Sequence, residues 1–247
     1  MSNGLLLRVG IDSASGGWNA PCRADGSFCY IPIADGEPGG RGAQFDHTYD
    51  EFSPFVSDIG GVWPGRLRGV CHLDPDFANL TYGDAGSRAR RIREFVTPGS
   101  FIVFWAALRW LDGPRQGELV CSIIGFYQVA RVVMAADVDD LDVHRNAHTR
   151  RAVFGKDHIV VFADPRDSGR LRRHIPIGCH RERAQRVDPD TLAAWGGLCR
   201  KSGEAHKDGY IQLSGNPPIF AKPERFLKWF RRQRLEFVHA NNIAAEQ

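Results

Sequence analysis

The chain has 247 residues, 43% hydrophobic and 25% charged, which suits a folded core and excludes collagen, a coiled coil and a wholly disordered chain. Its net charge of +3 divides unevenly: residues 1–143 carry 12 basic and 18 acidic side chains, net −6, and residues 144–247 carry 20 and 11, net +9. The basic set is 27 Arg to 5 Lys, which fits either a GC-rich genome or a half that grips phosphates with planar guanidinium groups.

In chain order, Leu5–Ile11 reads as a strand running into the turn Asp12-Ser13-Ala14-Ser15-Gly16-Gly17. Its apolar run lacks the basic flank and cleavage site of a signal peptide. Phe28–Ile33 alternates and is expected to pair back as a hairpin, and Gly36–Gly42 is a loop. Val70–Leu73 is a short strand. Asp84 is placed to cap a helix whose apolar side is Ala85, Ala89, Ile92 and Val96, with Arg88, Arg90, Arg91 and Arg93 on its other faces. Phe101–Trp110 and Leu119–Val133 read as neighbouring strands of a buried sheet or partial barrel, and Ile159–Phe162 as another strand. A helix is expected from Asp188-Pro189 to about Lys201, and the clearest one over Pro223–Phe237, with Phe226, Trp229, Phe230 and Phe237 as its stripe. The expected architecture is α/β: a single mixed-sheet domain over 1–247 with flanking helices. Val143–Arg151, where the charge changes sign, is the only seam.

No apolar run reaches the length of a membrane span. Six Cys, at 22, 29, 71, 121, 179 and 199, form no CxxC pair and no disulfide framework. Cys121 reads as core, and a reducing cytoplasm is the expected compartment.

Four constellations offer chemistry. The first is the turn with Asp12, Ser13, Gly16, Gly17 and Asn19, at the end of a buried strand. Its glycines let backbone N–H groups approach a ligand, and Asn19 offers a donor and an acceptor to a base edge. The plainer reading is a polar turn with Asp12 capping its own loop. The second is His72-Leu73-Asp74-Pro75-Asp76. In a strand His72, Asp74 and Asp76 share a face, where they could orient a water, bind a hard metal or split their carboxyl pKa values. A solvated Asp-Pro-Asp turn is the plainer alternative, and HxDxD alone is a weak metal signal. The third is His144-Arg145-Asn146-Ala147-His148, whose histidines would share one helix face, though HExxH is missing. Asp46, His47, Thr48, Tyr49 and Asp50 could line the same cleft. The fourth is the basic stretch Arg166–Arg186, with Arg170, Arg172, Arg173, Arg181 and Arg183, joined by Arg231, Arg232 and Arg234. These are expected to contact phosphates, with salt-sensitive binding. Trp18, Trp63, Tyr82 and Trp110 could stack on bases, although most Trp serve as core. There is no GxxxxGK[ST], no GxGxxG after the first strand, no GxSxG and no Cys/His zinc signature. No cofactor and no metal are therefore expected.

Leu6–Pro21, with its DS..GG..P pattern, resembles the opening of the third nucleotide-modification-associated domain family. Asp25-Gly26 with Pro32 is similar to that family's following hairpin, and His72–Asp76 to its HLDPD element. Pro98–Trp105 and Ile124–Val129 resemble two of its strands, and the His144/His148 region approximates an HxH element at different spacing. The resemblance covers about the first two thirds of the chain. It implies a place among systems that make, sense or attack hypermodified nucleobases, often in phage conflict, and hence DNA as partner. The expected activity is a DNA glycosylase that excises a modified base, such as glucosylated hydroxymethylcytosine, and leaves an abasic site. Asp12, Asp74 or Asp76 would supply the carboxylate, Asn19 and His72 base recognition, and the late Arg residues the phosphate grip. Ser13, Gly16, Gly17, Asp46, His47, Tyr82, His144 and His148 would line the substrate site. An enzyme that installs or edits a base modification, or a non-catalytic reader of modified DNA, is the alternative.

Overall fold

Long apolar strands organise the molecule. The computed structural model describes residues 3–36, 38–151, 155, 157–200, 205–206, 208–212 and 215–244. The strands are β1 (Gly4–Arg8), β2 (Pro21–Cys22), β3 (Ile33–Ala34), β4 (His47–Thr48), β5 (Val70–His72), β6 (Thr81–Asp84), β7 (Phe101–Trp110), β8 (Leu119–Met134), β9 (Ile159–Ala163), β10 (Gly169–Arg181), β11 (Ala184–Val187), β12 (Leu198–Cys199), β13 (Ala205–His206), β14 (Ile219–Phe220) and β15 (Phe237–Val238). The α-helices are α1 (Ser53–Asp58), α2 (Gly86–Phe95), α3 (Ala147–Arg150), α4 (Pro189–Trp195) and α5 (Pro223–Arg231).

The main sheet runs β11-β10-β8-β7-β1-β14-β12-β13, with β15 on β10 and β2 on β7. It is mixed, because β1 and β7 are parallel while β7 and β8 are antiparallel. The far half of the long β8 leaves β7 and pairs with β9, which in turn pairs with β6. A second sheet is ordered β3-β5-β4. The fold is mixed α/β, and the sheet does not close into a barrel.

Alternation along the central strands feeds two cores, as a pleat of period two requires. Leu5, Leu7, Ile102 and Phe104 face Tyr30, Phe77, Tyr82 and Ile92 of α2. Leu6, Phe101, Val103 and Trp105 face Trp195 of α4 and Phe226 and Phe230 of α5. Phe101 stacks on Phe126 at 5.6 Å and on Phe226 at 5.4 Å. Truncating it to Ala would cost about 3–5 kcal/mol.

Several sequence expectations shift. Asp84 ends β6 instead of capping the helix, and Ala85 holds the cap position of α2. Arg91 is buried, donating to the Pro217 and Arg200 carbonyls, because its face of α2 meets the chain before β14. The helix opened by Pro189 stops at Trp195, where Gly196 takes a left-handed conformation (φ 80°), and Lys201 lies outside the described residues. The last helix stops at Arg231, and Phe237 instead joins β15 against β10. Phe28–Ile33 makes a single bridge from Phe28 to Cys22, and only Ile33 of it belongs to a strand. The Val143–Arg151 stretch is no exposed linker, since Val143 and residues 146–150 are buried.

Candidate functional site

The strongest convergence of polar side chains among the described residues lies where the end of β5, the strand β6 and the short helix α3 meet. β5 ends at His72, and the next turn carries Asp74 back toward β6. Asp74 Oδ1 is anchored by the Gly83 N–H at 2.7 Å and by Asn146 Nδ2 at 3.0 Å. Asn146 also caps α3: its Oδ1 accepts the His148 N–H at 2.9 Å. One asparagine thus fixes the carboxylate and the start of the helix that delivers His148. Gly83 must lack a side chain, since a Cβ there would run into the His148 ring and Asn146 Oδ1.

The result is a triangle of three atoms. His72 Nε2 lies 3.4 Å from Asp74 Oδ2, His148 Nε2 lies 3.3 Å from the same oxygen, and the two nitrogens are 3.2 Å apart. The Asp74 side chain is 5% exposed, and its Oδ2 has no hydrogen-bond partner. Such a buried acceptor is costly unless something else meets it. Behind the triangle, His72 Nδ1 lies 3.4 Å from Asp35 Oδ2 and 3.3 Å from Arg151 Nη2, and Arg151 bonds Asp35 Oδ1 at 3.2 Å. His148 Nδ1 meets His158 Nδ1 at 3.0 Å. Burial works against a charged His72 imidazole, but Asp35 and Asp74 outweigh it and hold its pKa up at about 9. Burial drives His148 the other way, well below its ordinary value, and the positive charges of His72 and Arg151 add to that. Two adjacent imidazoles beside one buried carboxylate bring three groups that can accept a proton or ligate an ion to one point.

The other predicted residues do not join this group. Asp76 is not on the His72/Asp74 face. It turns into the next bend, where its oxygens accept from Ala78 N, Asn79 N, Asn79 Nδ2 and Asn241 Nδ2. Asp12 pairs with Arg8 and accepts the Ala14 and Ser15 N–H groups, so it serves its own loop. Asn19 is buried and spent, donating to Ala107 O at 2.9 Å and accepting from Ser13 at 2.6 Å. The Gly16 and Gly17 carbonyls are taken by Arg66. Tyr82 is a core residue bonded to Asp84, so it cannot stack on a base. His144 does not share a helix face with His148. It sits on a separate 3-10 turn, Asp140–Arg145, broken from α3 at Asn146, with its ring against Phe45. Asp46 pairs with Arg150 at 3.4 Å, and His47 with Glu51 at 2.7 Å.

The basic half divides as well. Arg170 is fully buried with its guanidinium 3.8 Å over Phe28, and burial lowers its pKa to about 9; it cannot reach a phosphate. Arg172 pairs with Glu236 at 2.5 Å and Arg181 with Asp188 at 3.1 Å. Arg173, Arg183, Arg231 and Arg232 are exposed. A groove of about 570 Å³ is lined by Trp110, Arg172, Arg173, His174, Arg234 and Glu236. Trp18 and Trp63 meet edge to face at 6.0 Å.

Asp35, Asn146, Arg151 and His158 complete the centre, and sequence reasoning did not group them with His72. They lie on three segments up to 123 positions apart, without a shared spacing. No helix among the described residues is long and apolar enough to cross a membrane. The model of one protein family, nucleotide modification associated domain 3, matches residues 3–196. No curated protein and no solved structure matches the chain.

Proposed function

Since the chain belongs to the nucleotide modification associated domain 3 family, we propose that it is an enzyme acting on a hypermodified base in DNA, with His72, Asp74 and His148 as its reaction centre. The proposed reaction is hydrolysis of the N-glycosidic bond. Water adds to the sugar C1′, the C1′–N bond breaks, and the base leaves with a proton. The observation that carries this reading is the buried Asp74 oxygen, flanked at 3.3 and 3.4 Å by two imidazole nitrogens and held by no other group. A carboxylate so placed can activate water, and the imidazoles can steady charge on the sugar and the departing base. The family supports a nucleic-acid context, and the exposed Arg173, Arg183, Arg231 and Arg232 supply charge for a phosphate backbone. Phage DNA carrying such bases is the proposed target, in antiviral defence. A pure reader is disfavoured, because it has no use for a buried carboxylate with two imidazoles converging on one of its oxygens.

The test is incubation of the protein with ordinary, hydroxymethylated and glucosylated DNA, followed by mass spectrometry. Release of free modified base with matching abasic sites supports glycosidic hydrolysis. A changed mass on a base still attached to its sugar overturns it in favour of base editing.

A further inference from the structure

We infer that His72 Nε2, His148 Nε2 and Asp74 Oδ2 are the three protein ligands of a divalent transition-metal ion. Such a site departs from the metal-free one that the sequence leads one to expect. The three ligating atoms lie 3.2, 3.3 and 3.4 Å apart. A tetrahedral ion with ligand bonds of about 2.0–2.1 Å spaces its ligands about 3.3 Å apart. Three lone-pair-bearing atoms facing one another need more than a proton. One ring hydrogen bridges a single edge of the triangle, whereas an ion at its centre meets all three atoms, including Asp74 Oδ2, which faces the two imidazole nitrogens at 3.3 and 3.4 Å. Among the described residues, this is the one group of three His, Cys, Asp or Glu side chains with ligating atoms so close.

The surroundings are those of a built site. Ligating histidines usually donate their second ring N–H to a carboxylate or another fixed acceptor. His72 Nδ1 has Asp35 Oδ2 at 3.4 Å, a carboxylate that Arg151 Nη2, itself 3.3 Å from the ring nitrogen, holds by its other oxygen, and His148 Nδ1 has His158 Nδ1 at 3.0 Å. Asp74 Oδ1, turned away from the triangle, is held by Gly83 and Asn146. The donor set is two imidazoles and one carboxylate without thiolate, because Cys71, one residue before His72, points to the His47 carbonyl. That mix suits zinc, iron(II) or cobalt(II) over the all-oxygen coordination of magnesium and calcium. Three protein ligands leave one corner to water, the pattern of catalytic sites and not of closed structural ones. Such an ion would lower the pKa of bound water toward about 7, so that Asp74 would act on the water as a ligand of the ion and not as a free base, which deepens the hydrolytic reading above. The link to catalysis rests on that reading; the ion site does not.

The test uses the tag-free full chain, stripped with chelator and titrated with zinc(II), then with cobalt(II) as a spectroscopic stand-in. No DNA is present, so failure here is distinct from failure of the glycosidic reaction. One equivalent of zinc per chain and the visible absorption of four-coordinate cobalt are expected. His148→Ala should weaken binding at least 100-fold, and Asp35→Asn about 10–100-fold. His144→Ala should leave binding unchanged. A folded wild-type chain that binds no zinc saturably, or one whose zinc binding survives both His148→Ala and Asp35→Asn, overturns the assignment. If His148→Ala does not fold, the wild-type cobalt spectrum and the Asp35→Asn titration decide.

Discussion

Two buried aspartates, each shortly after a strand, behave in opposite ways. Asp12 follows β1, pairs with Arg8 and accepts two N–H groups of its own turn. Asp74 follows β5, has one oxygen held twice and the other facing only imidazole nitrogens. Burial alone does not mark a reactive group. A carboxylate with all its demands met belongs to the architecture, and one left short of a donor is available for chemistry.

Substitutions can break that contrast. The largest effect is expected for Asp74→Asn, which removes the charge at the centre. Base release should fall at least ~100-fold while circular dichroism stays native. Asp12→Asn should do the reverse. It strands Arg8 in a mostly buried site and should cost about 2–4 kcal/mol in a denaturant titration, with activity per folded molecule retained. If Asp12→Asn abolishes turnover at full stability, the assignment of the two loops is inverted.

The histidines carry the same distinction. His174 is buried beside Ser122, 2.9 Å away, and burial lowers its pKa to about 4. A histidine kept neutral by folding contributes stability above its unfolded value of about 6.5, and that contribution is lost as pH falls toward 4. The loss should reach about 3 kcal/mol, read as the difference between wild type and His174→Gln in unfolding titrations at pH 7 and pH 4. His72 is raised by carboxylates and does not add to that acid loss. Gly83→Ala sharpens the picture from the packing side. It should cost about 1–3 kcal/mol and displace His148, lowering activity without touching a titratable group. The smallest effect belongs to the basic half. Arg173→Ala should reduce the salt slope of DNA binding by about 0.9, and Arg170→Ala should not change it, because Arg170 is enclosed over Phe28.

Much of the frame was legible in the sequence. Phe101–Trp110, Leu119–Val133 and Ile159–Phe162 are visible, each within one residue of its strand, because apolar runs of β-branched and aromatic residues have few other places to go. Two-residue strands such as β12 and β14 carry no periodicity to detect. His72 and Asp74 stood out as a motif, yet the motif could not tell Asp74 from Asp76, because the chain leaves the strand after His72. The spacing of His144 and His148 suggests one helix face, but Asn146 ends one turn and caps the next, so His148 meets His72 instead. Asp35 and His158 reach the site through the pairing of β3 with β5 and of β9 with β6, contacts a linear reading does not contain, and Arg151 comes with His148 at the end of α3.

The most direct measurement compares wild type, Asp74→Asn and Asp12→Asn on glucosylated hydroxymethylcytosine DNA, with released base and abasic sites quantified by mass spectrometry under matched folded concentrations. Release by wild type and Asp12→Asn, and none by Asp74→Asn, is the predicted result. Release by Asp74→Asn at the wild-type rate would contradict the assignment of this centre.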